Sequence, residues 1–157
     1  MADKKVLTAY FSLFGNTKAV AEKVQSVAGG DLFEIKPVKA YSNDYNTVVN
    51  LAKVEKQNDV RPELVDNGDV DEYDVIFVGT PVWWYTMAAP VKTFLANHNF
   101  SGKTIVPFCT HGGGGASNTY SDMQKIASGA AFTDGYTSYE NSARAEDVKA
   151  WIEGLKL

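Results

Sequence analysis

Short apolar runs alternate with amphipathic stretches five times along these 157 residues, and that alternation limits the fold more than any other feature. Lys5-Val6-Leu7-Thr8-Ala9-Tyr10-Phe11 is a largely apolar run that stops at a Ser/Gly/Asn cluster, as a buried parallel strand does. Thr17 to Ala28 then sets Ala19, Val20, Val24 and Val27 at three- and four-residue spacings, a helix closed by Gly29-Gly30. Leu32–Ile35 predicts a second strand, stopped by Pro37, and Tyr73–Gly79 a third, the clearest in the chain. Between them, Val38 to Asp71 reads as a long polar connection with a helix over about Asp44–Lys56. Thr104–Cys109 predicts a fourth strand, and a fifth lies within Ala131–Tyr139, interrupted by Gly135. Helices are expected over about Pro90–Asn97, Thr119–Ala127 and Ala145–Leu155. Such a chain predicts an α/β fold in three layers, a parallel sheet with helices on both faces, as a single domain over residues 1–157.

In an open α/β sheet the ligand crevice lies outside the carboxyl ends of the strands. The loops after strands one, three and four leave that edge, and each carries unusual residues. Ser12-Leu13-Phe14-Gly15-Asn16-Thr17 brings two hydroxyls, a side-chain amide and backbone N–H groups to a helix start. A helix start carries unpaired donors and a partial positive charge, so it suits a phosphate. The same residues also suit an ordinary helix cap. A nucleotide-hydrolase phosphate loop needs a lysine just before its Ser/Thr, whereas Lys18 follows Thr17; spaced glycines of a dinucleotide fingerprint are absent too. With no Lys or Arg inside the loop, a terminal monophosphate held by neutral donors fits best.

The second loop sets Pro81, Val82, Trp83, Trp84 and Tyr85 directly after a buried strand. Rings that large either pack beneath the loop or form a wall for a flat ligand, and core packing is expected for one of the two tryptophans. The third loop runs Thr110-His111-Gly112-Gly113-Gly114-Gly115, and its glycines permit close backbone approach to a ligand. His111 faces either that ligand or solvent. Tyr45 is a candidate contact at the upper edge.

Composition narrows the function classes. At 45% hydrophobic and 22% charged the chain is neither disordered nor collagen-like, and its apolar stretches break within about ten residues, short of the roughly 20 that cross a bilayer. Residues 1–5 lead into the first strand without a signal-like apolar segment, and Cys109 has no internal partner, so a reducing cytoplasmic setting is expected. Fifteen Lys+Arg against nineteen Asp+Glu give a net charge of −4, which argues against nucleic acid. No metal site and no membrane contact are expected.

Taken in order, the Tyr-Phe-Ser-Leu-Phe-Gly-Asn-Thr, Gly-Thr-Pro-Val-Trp-Trp and His-Gly-Gly-Gly-Gly runs resemble the three flavin loops of the flavodoxin family, over nearly the whole chain. The nearest likeness is to short bacterial flavodoxin-like proteins with a paired tryptophan in the second loop. The resemblance implies a flavodoxin-like sandwich with a five-stranded parallel sheet in the order 2-1-3-4-5, and FMN at the switch between strands one and three. It implies that Ser12, Gly15, Asn16 and Thr17 hold the phosphate, with Phe14 contributing backbone. Pro81 to Tyr85 would contact the ring, and Thr110, His111, Gly112, Gly113 and Gly114 would lie beside its pyrimidine edge. Electron-carrier flavodoxins are commonly more acidic than −4, and their minimal pattern lacks the long polar connection around Tyr41–Arg61.

Two functional classes follow. One is a redox protein that reduces a small acceptor such as a quinone with a nicotinamide donor, NAD(P)H, or that passes electrons between partner proteins, as a monomer or dimer. No side chain is assigned a catalytic role, since flavin carries the chemistry. The other is a binding or signalling domain without flavin; against a phosphate-accepting receiver, strands one and three end in Phe11-Ser12 and Gly79-Thr80 rather than in carboxylates.

Overall fold

The computed structural model describes residues 4–157. The expectation that residues 1–5 run straight into a strand falls partly on residues 1–3, which lie outside the described residues. From there the chain forms β1 (Val6–Tyr10), α1 (Asn16–Ala28), β2 (Asp31–Glu34), α2 (Tyr45–Gln57), β3 (Val75–Trp83) and β4 (Thr86–Met87). Then come α3 (Ala89–Ala96), β5 (Thr104–His111), α4 (Thr119–Ile126), β6 (Ala131–Phe132), β7 (Tyr136–Tyr139) and α5 (Ala145–Leu155).

The parallel sheet runs β2-β1-β3-β5-β6, with β7 also on β5 and β4 antiparallel to β3. β6 and β7 pair with the two ends of β5, Thr104 opposite Ala131 and Phe108 opposite Tyr136, so together they form one interrupted edge strand. Counted so, and with the short β4 set aside, the order is the expected 2-1-3-4-5. Gly135 sits at the interruption against the Tyr120 ring, where a Cβ would collide. Trp151 Nε1 donates to the Asp134 carbonyl there, 3.1 Å away.

Strand periodicity divides the core between the two faces. Leu7, Ala9, Ile76, Val78 and Ile105 meet Val91, Phe94 and Leu95 of α3 and Met123 of α4 on one face. Val6, Tyr10, Val75, Phe77, Val106 and Phe108 meet Val20 and Val24 of α1 and Val148 and Ile152 of α5 on the other. Each fully buried Val, Ile or Phe contributes about 1.5–3 kcal/mol, so the three central strands dominate folding.

Two differences from the sequence reading bear on the site. β3 continues past Gly79 to Trp83 and turns back into β4, which the sequence reading lacks. Pro81 is tolerated there because the parallel ladder continues through its pairing with Thr110 only at the strand's end. The helix in the polar connection, α2, buries only Val48, Ala52 and Glu55. It is capped by Asp44, whose carboxylate accepts the Thr47 N–H at 3.0 Å. Tyr41, ahead of it, donates its hydroxyl to both Glu55 carboxylate oxygens at 2.9 Å, pinning the connection to the helix.

Gly79 stands opposite Phe108 in the β3–β5 register, and a Cβ on Gly79 would run into the Phe108 ring. Gly79→Ala is expected to lower stability by about 1–3 kcal/mol, read as a fall in urea midpoint with the slope unchanged. Burial raises the Glu55 carboxyl above its ordinary 4.5, against the opposing pull of the Tyr41 hydrogen bond and the Lys92 charge. A carboxyl raised in the folded state stabilises while protonated, fully below 4.5, and that contribution is lost as pH climbs through the raised value. Glu55→Gln should therefore gain stability relative to the parent between about pH 4.5 and neutrality, in urea titrations at stepped pH. An unchanged difference across that window would show that Glu55 does not titrate there.

Candidate functional site

Parallel pairing of β1, β3 and β5 delivers three loops to one edge of the sheet. In the first, Gly15 is the residue before α1 and adopts φ 97°, a left-handed conformation that favours glycine. Its N–H donates to Ser12 Oγ at 3.2 Å, and the first helical bond runs from Ala19 N–H to the Gly15 carbonyl at 3.0 Å. No side chain caps α1. The capping reading of Ser12, Asn16 and Thr17 thus gives way: the N–H groups of Asn16, Thr17 and Lys18 precede the first helical bond and face outward along the helix axis. A small pocket of about 40 Å³ lies there, lined by Ser12, Leu13, Phe14, Asn16 and Thr17 with Pro81, Trp83 and Thr110. All eight are uncharged. Thr17 and Thr110 join across it by a buried hydroxyl–hydroxyl hydrogen bond of 2.8 Å.

The second segment is a hairpin. Val82 pairs with Met87 and Trp83 with Thr86, leaving Trp84 and Tyr85 as the two turn residues, at φ 54° and 70°. Positive φ at both turn residues matches the twist of a hairpin but normally selects Asn-Gly. A tryptophan and a tyrosine in that role cost on the order of 1 kcal/mol each. Neighbouring elements hold them: Lys56 Nζ donates to the Trp84 carbonyl at 2.6 Å, Trp84 Nε1 to the Val49 carbonyl at 2.7 Å, and Asn118 N–H to the Tyr85 carbonyl at 2.9 Å. The Lys53 ammonium lies 5.4 Å from the Trp84 ring and that of Lys56 5.2 Å from the Tyr85 ring, both cation–π range. Trp83 instead turns towards the core, edge-on to Phe11 at 5.4 Å and Tyr41 at 5.1 Å.

In the third segment β5 extends to His111, two residues beyond the expected Cys109. His111 Nδ1 accepts the N–H of Gly113 at 3.0 Å and of Gly115 at 3.2 Å, so this nitrogen carries no proton and the ring shapes the glycine loop. Gly113 and Gly115 need that freedom, with φ 129° and 74°. Beneath the loop, burial pushes the Cys109 thiol up, and its S–H donates to Tyr120 Oη at 3.3 Å. Cys109 is therefore an inert core thiol.

A cleft of about 330 Å³ opens between these segments and α2. Phe14, Val82, Trp83, Trp84, Tyr85, His111, Gly112 and Gly114 line it, while Ser12, Asn16, Thr17, Pro81 and Thr110 line the small pocket. Phe14 and Trp83 border both, so the two spaces adjoin. Gly15 and Gly113 line neither and act through the backbone they shape. The sequence reading missed Val48, Val49 and Ala52 of α2 and Ser117; it placed Gly115 in the glycine loop without assigning it to the ring, and it had Tyr45, which lines the cleft mouth. Val48 and Ala52, four residues apart on the buried stripe of α2, were the available signal. Among the described residues, no cluster of His, Cys, Asp or Glu could hold a metal, and no helix is long and apolar enough to cross a membrane.

The sequence profile of the flavodoxin family matches residues 5–155. No curated protein matches the chain. Among solved structures, a provisionally assigned flavoprotein of Bacteroides uniformis is 34% identical over 96% of this chain and 98% of its own, with a TM-score of 0.86. Another, of Bacteroides eggerthii, is 31% identical over 99% of both chains, also at 0.86. A flavoprotein of Lactobacillus acidophilus, solved in complex with FMN, is 26% identical over 98% of this chain and 99% of its own, with a TM-score of 0.75. The strand order, the three loops at one sheet edge and the match over residues 5–155 agree: the chain belongs to the flavodoxin family.

Proposed function

We propose that this protein binds FMN and works as a flavin redox protein, reducing a small acceptor such as a quinone with electrons from NAD(P)H or passing electrons to a partner protein. The observation that carries the reading is the uncapped start of α1, which opens on a pocket of uncharged donors adjoining an aromatic cleft. The N–H groups of Asn16, Thr17 and Lys18 and the hydroxyls of Ser12, Thr17 and Thr110 would hold the phosphate as a dianion without a basic clamp. Phe14 and Trp83 would flank the step from phosphate to ring, and Val82, Trp84, Tyr85 and the loop from His111 to Gly114 would border the ring. FMN bound there supplies one- and two-electron chemistry. The surrounding side chains would shield the ring from water and fix its orientation.

The reductase role is favoured over the carrier role by the rim. Phe14, Tyr45 and Tyr85 are all exposed at the mouth, and Lys53 and Lys56 stand beside it, an arrangement open to a flat small molecule. The mild net charge of −4 gives little long-range steering towards a basic protein. A cytoplasmic setting is consistent with the unpaired, buried Cys109.

Ser12→Ala with Thr17→Ala should weaken FMN binding about a hundredfold or more, since two hydrogen bonds to a charged group are removed and each contributes about 1.5–3 kcal/mol. Riboflavin, which lacks the phosphate, should be affected far less; equal losses in fluorescence titrations would contradict the phosphate role. The FMN-loaded protein should oxidise NADH or NADPH in the presence of a quinone. Should it do neither, and should transfer from a reductase protein proceed with strong salt sensitivity, the carrier role is the correct one.

A further inference from the structure

We propose that Trp83, Tyr41 and Glu55 form a relay that draws one-electron oxidation away from the cleft and holds it on the Tyr41 ring while Glu55 takes the phenolic proton. Trp83 borders both the cleft and the small pocket, so any oxidising species held there meets its indole. Behind it the Tyr41 ring centre is 5.1 Å away, and Phe11 packs against both rings at 5.4 and 5.7 Å. At that separation an electron passes directly between the rings. The Tyr41 hydroxyl is already hydrogen-bonded to both oxygens of the Glu55 carboxylate at 2.9 Å, which is a proton acceptor in place before any transfer.

The chemistry depends on that placement. Burial and the Glu55 charge hold the Tyr41 hydroxyl firmly protonated, and burial raises the Glu55 carboxyl, making its carboxylate a better base. A buried tyrosine cannot keep its proton once it loses an electron, so electron and proton must leave together. The step balances: the Trp83 radical cation takes one electron from Tyr41 and is restored to indole. The Tyr41 O–H proton passes to a Glu55 oxygen, leaving a neutral tyrosyl radical and a protonated carboxyl. In the return step the oxidant in the cleft, reduced by one electron when it oxidised Trp83, gives that electron back to Tyr41 by way of Trp83 while the proton returns from Glu55, with no net consumption. The chain holds a second close pair, Tyr136 and Trp151 at 5.3 Å, but among the described residues no carboxylate accepts the Tyr136 hydroxyl.

The physiological oxidant would be a light-excited flavin in the cleft, and that role rests on the proposed cofactor; the relay itself does not. It is tested first on the full chain without flavin, using azide radical, which oxidises tryptophan selectively. A parent carrying Trp84→Phe and Trp151→Phe keeps Trp83 alone of the three tryptophans. After pulse radiolysis, tryptophan radical should decay as tyrosyl radical grows, at a rate independent of protein concentration. Tyr41→Phe, which keeps the ring packing, should abolish the growth. Glu55→Gln, which keeps a hydrogen-bond acceptor but is a far poorer base, should slow it about a hundredfold. Absent growth in the parent, or growth untouched by Tyr41→Phe, overturns the relay; growth unaffected by Glu55→Gln overturns the proton step and leaves Tyr41–Glu55 as a structural pin. In a second arm, FMN-loaded protein is held under blue light and Trp83 oxidation is read by peptide mass spectrometry. Tyr41→Phe should accumulate several times more oxidised Trp83 than the unsubstituted chain. Equal oxidation overturns the protective role. A chain that takes up no FMN overturns the cofactor reading and this role with it, while the azide arm decides the relay.

Discussion

Parallel register is the constraint on which the site depends. Because β1, β3 and β5 run the same way and pair residue for residue from Val6–Val75–Thr104 up to Tyr10–Gly79–Phe108, their carboxyl ends arrive together. Each strand's apolar side chains are buried on both faces, so a slip by one residue would exchange the two halves of the core and is strongly opposed. The loops inherit that precision. Thr17 on the first helix and Thr110 on the third central strand reach hydrogen-bond distance although 93 positions apart.

On this platform the hairpin at Trp84 and Tyr85 is the least relaxed part. Its backbone strain is offset by three hydrogen bonds to two separate elements: Lys56 and the Val49 carbonyl on α2, and the Asn118 N–H at the start of α4. α2 is accordingly more than a filler in a long connection. It is the outer wall of the cleft and the clamp on its most strained turn. Tyr41 and Glu55 fasten the preceding chain to that clamp, so the aromatic cluster around Trp83 is continuous with the wall.

Much of this was legible in the residues. The central strands announced themselves as unbroken apolar runs, and the helices as stripes three and four apart, because burial on two faces or on one dictates those patterns. The first loop's donors and the glycines after His111 were equally plain. The return of β3 into β4 was not, since Trp84-Tyr85 lacks the Asn-Gly chemistry that marks such a turn, and its conformation is imposed by distant partners. The place of α2 was hidden for a related reason: a stripe such as Val48 and Ala52 says that a helix face is buried, not which neighbour buries it. His111 illustrates the same limit, for nothing local distinguishes a ligand contact from a ring that organises the amides of Gly113 and Gly115. Gly135 marked the break in the edge strand, but its cause, the Tyr120 ring, lies on α4.

The uncapped start of α1 has a consequence for the protein's economy in the cell. A helix cap from the chain's own side chains contributes about 0.5–2 kcal/mol, and this fold forgoes it at a helix that covers the centre of the sheet. The phosphate of FMN bound as proposed would complete that turn, and any ligand that binds only the folded chain shifts the folding equilibrium in proportion to the logarithm of its concentration. Abundance of the folded protein would thereby be tied to supply of the ligand. With the ligand scarce, the same backbone amides that would hold it would leave the chain more readily unfolded and turned over.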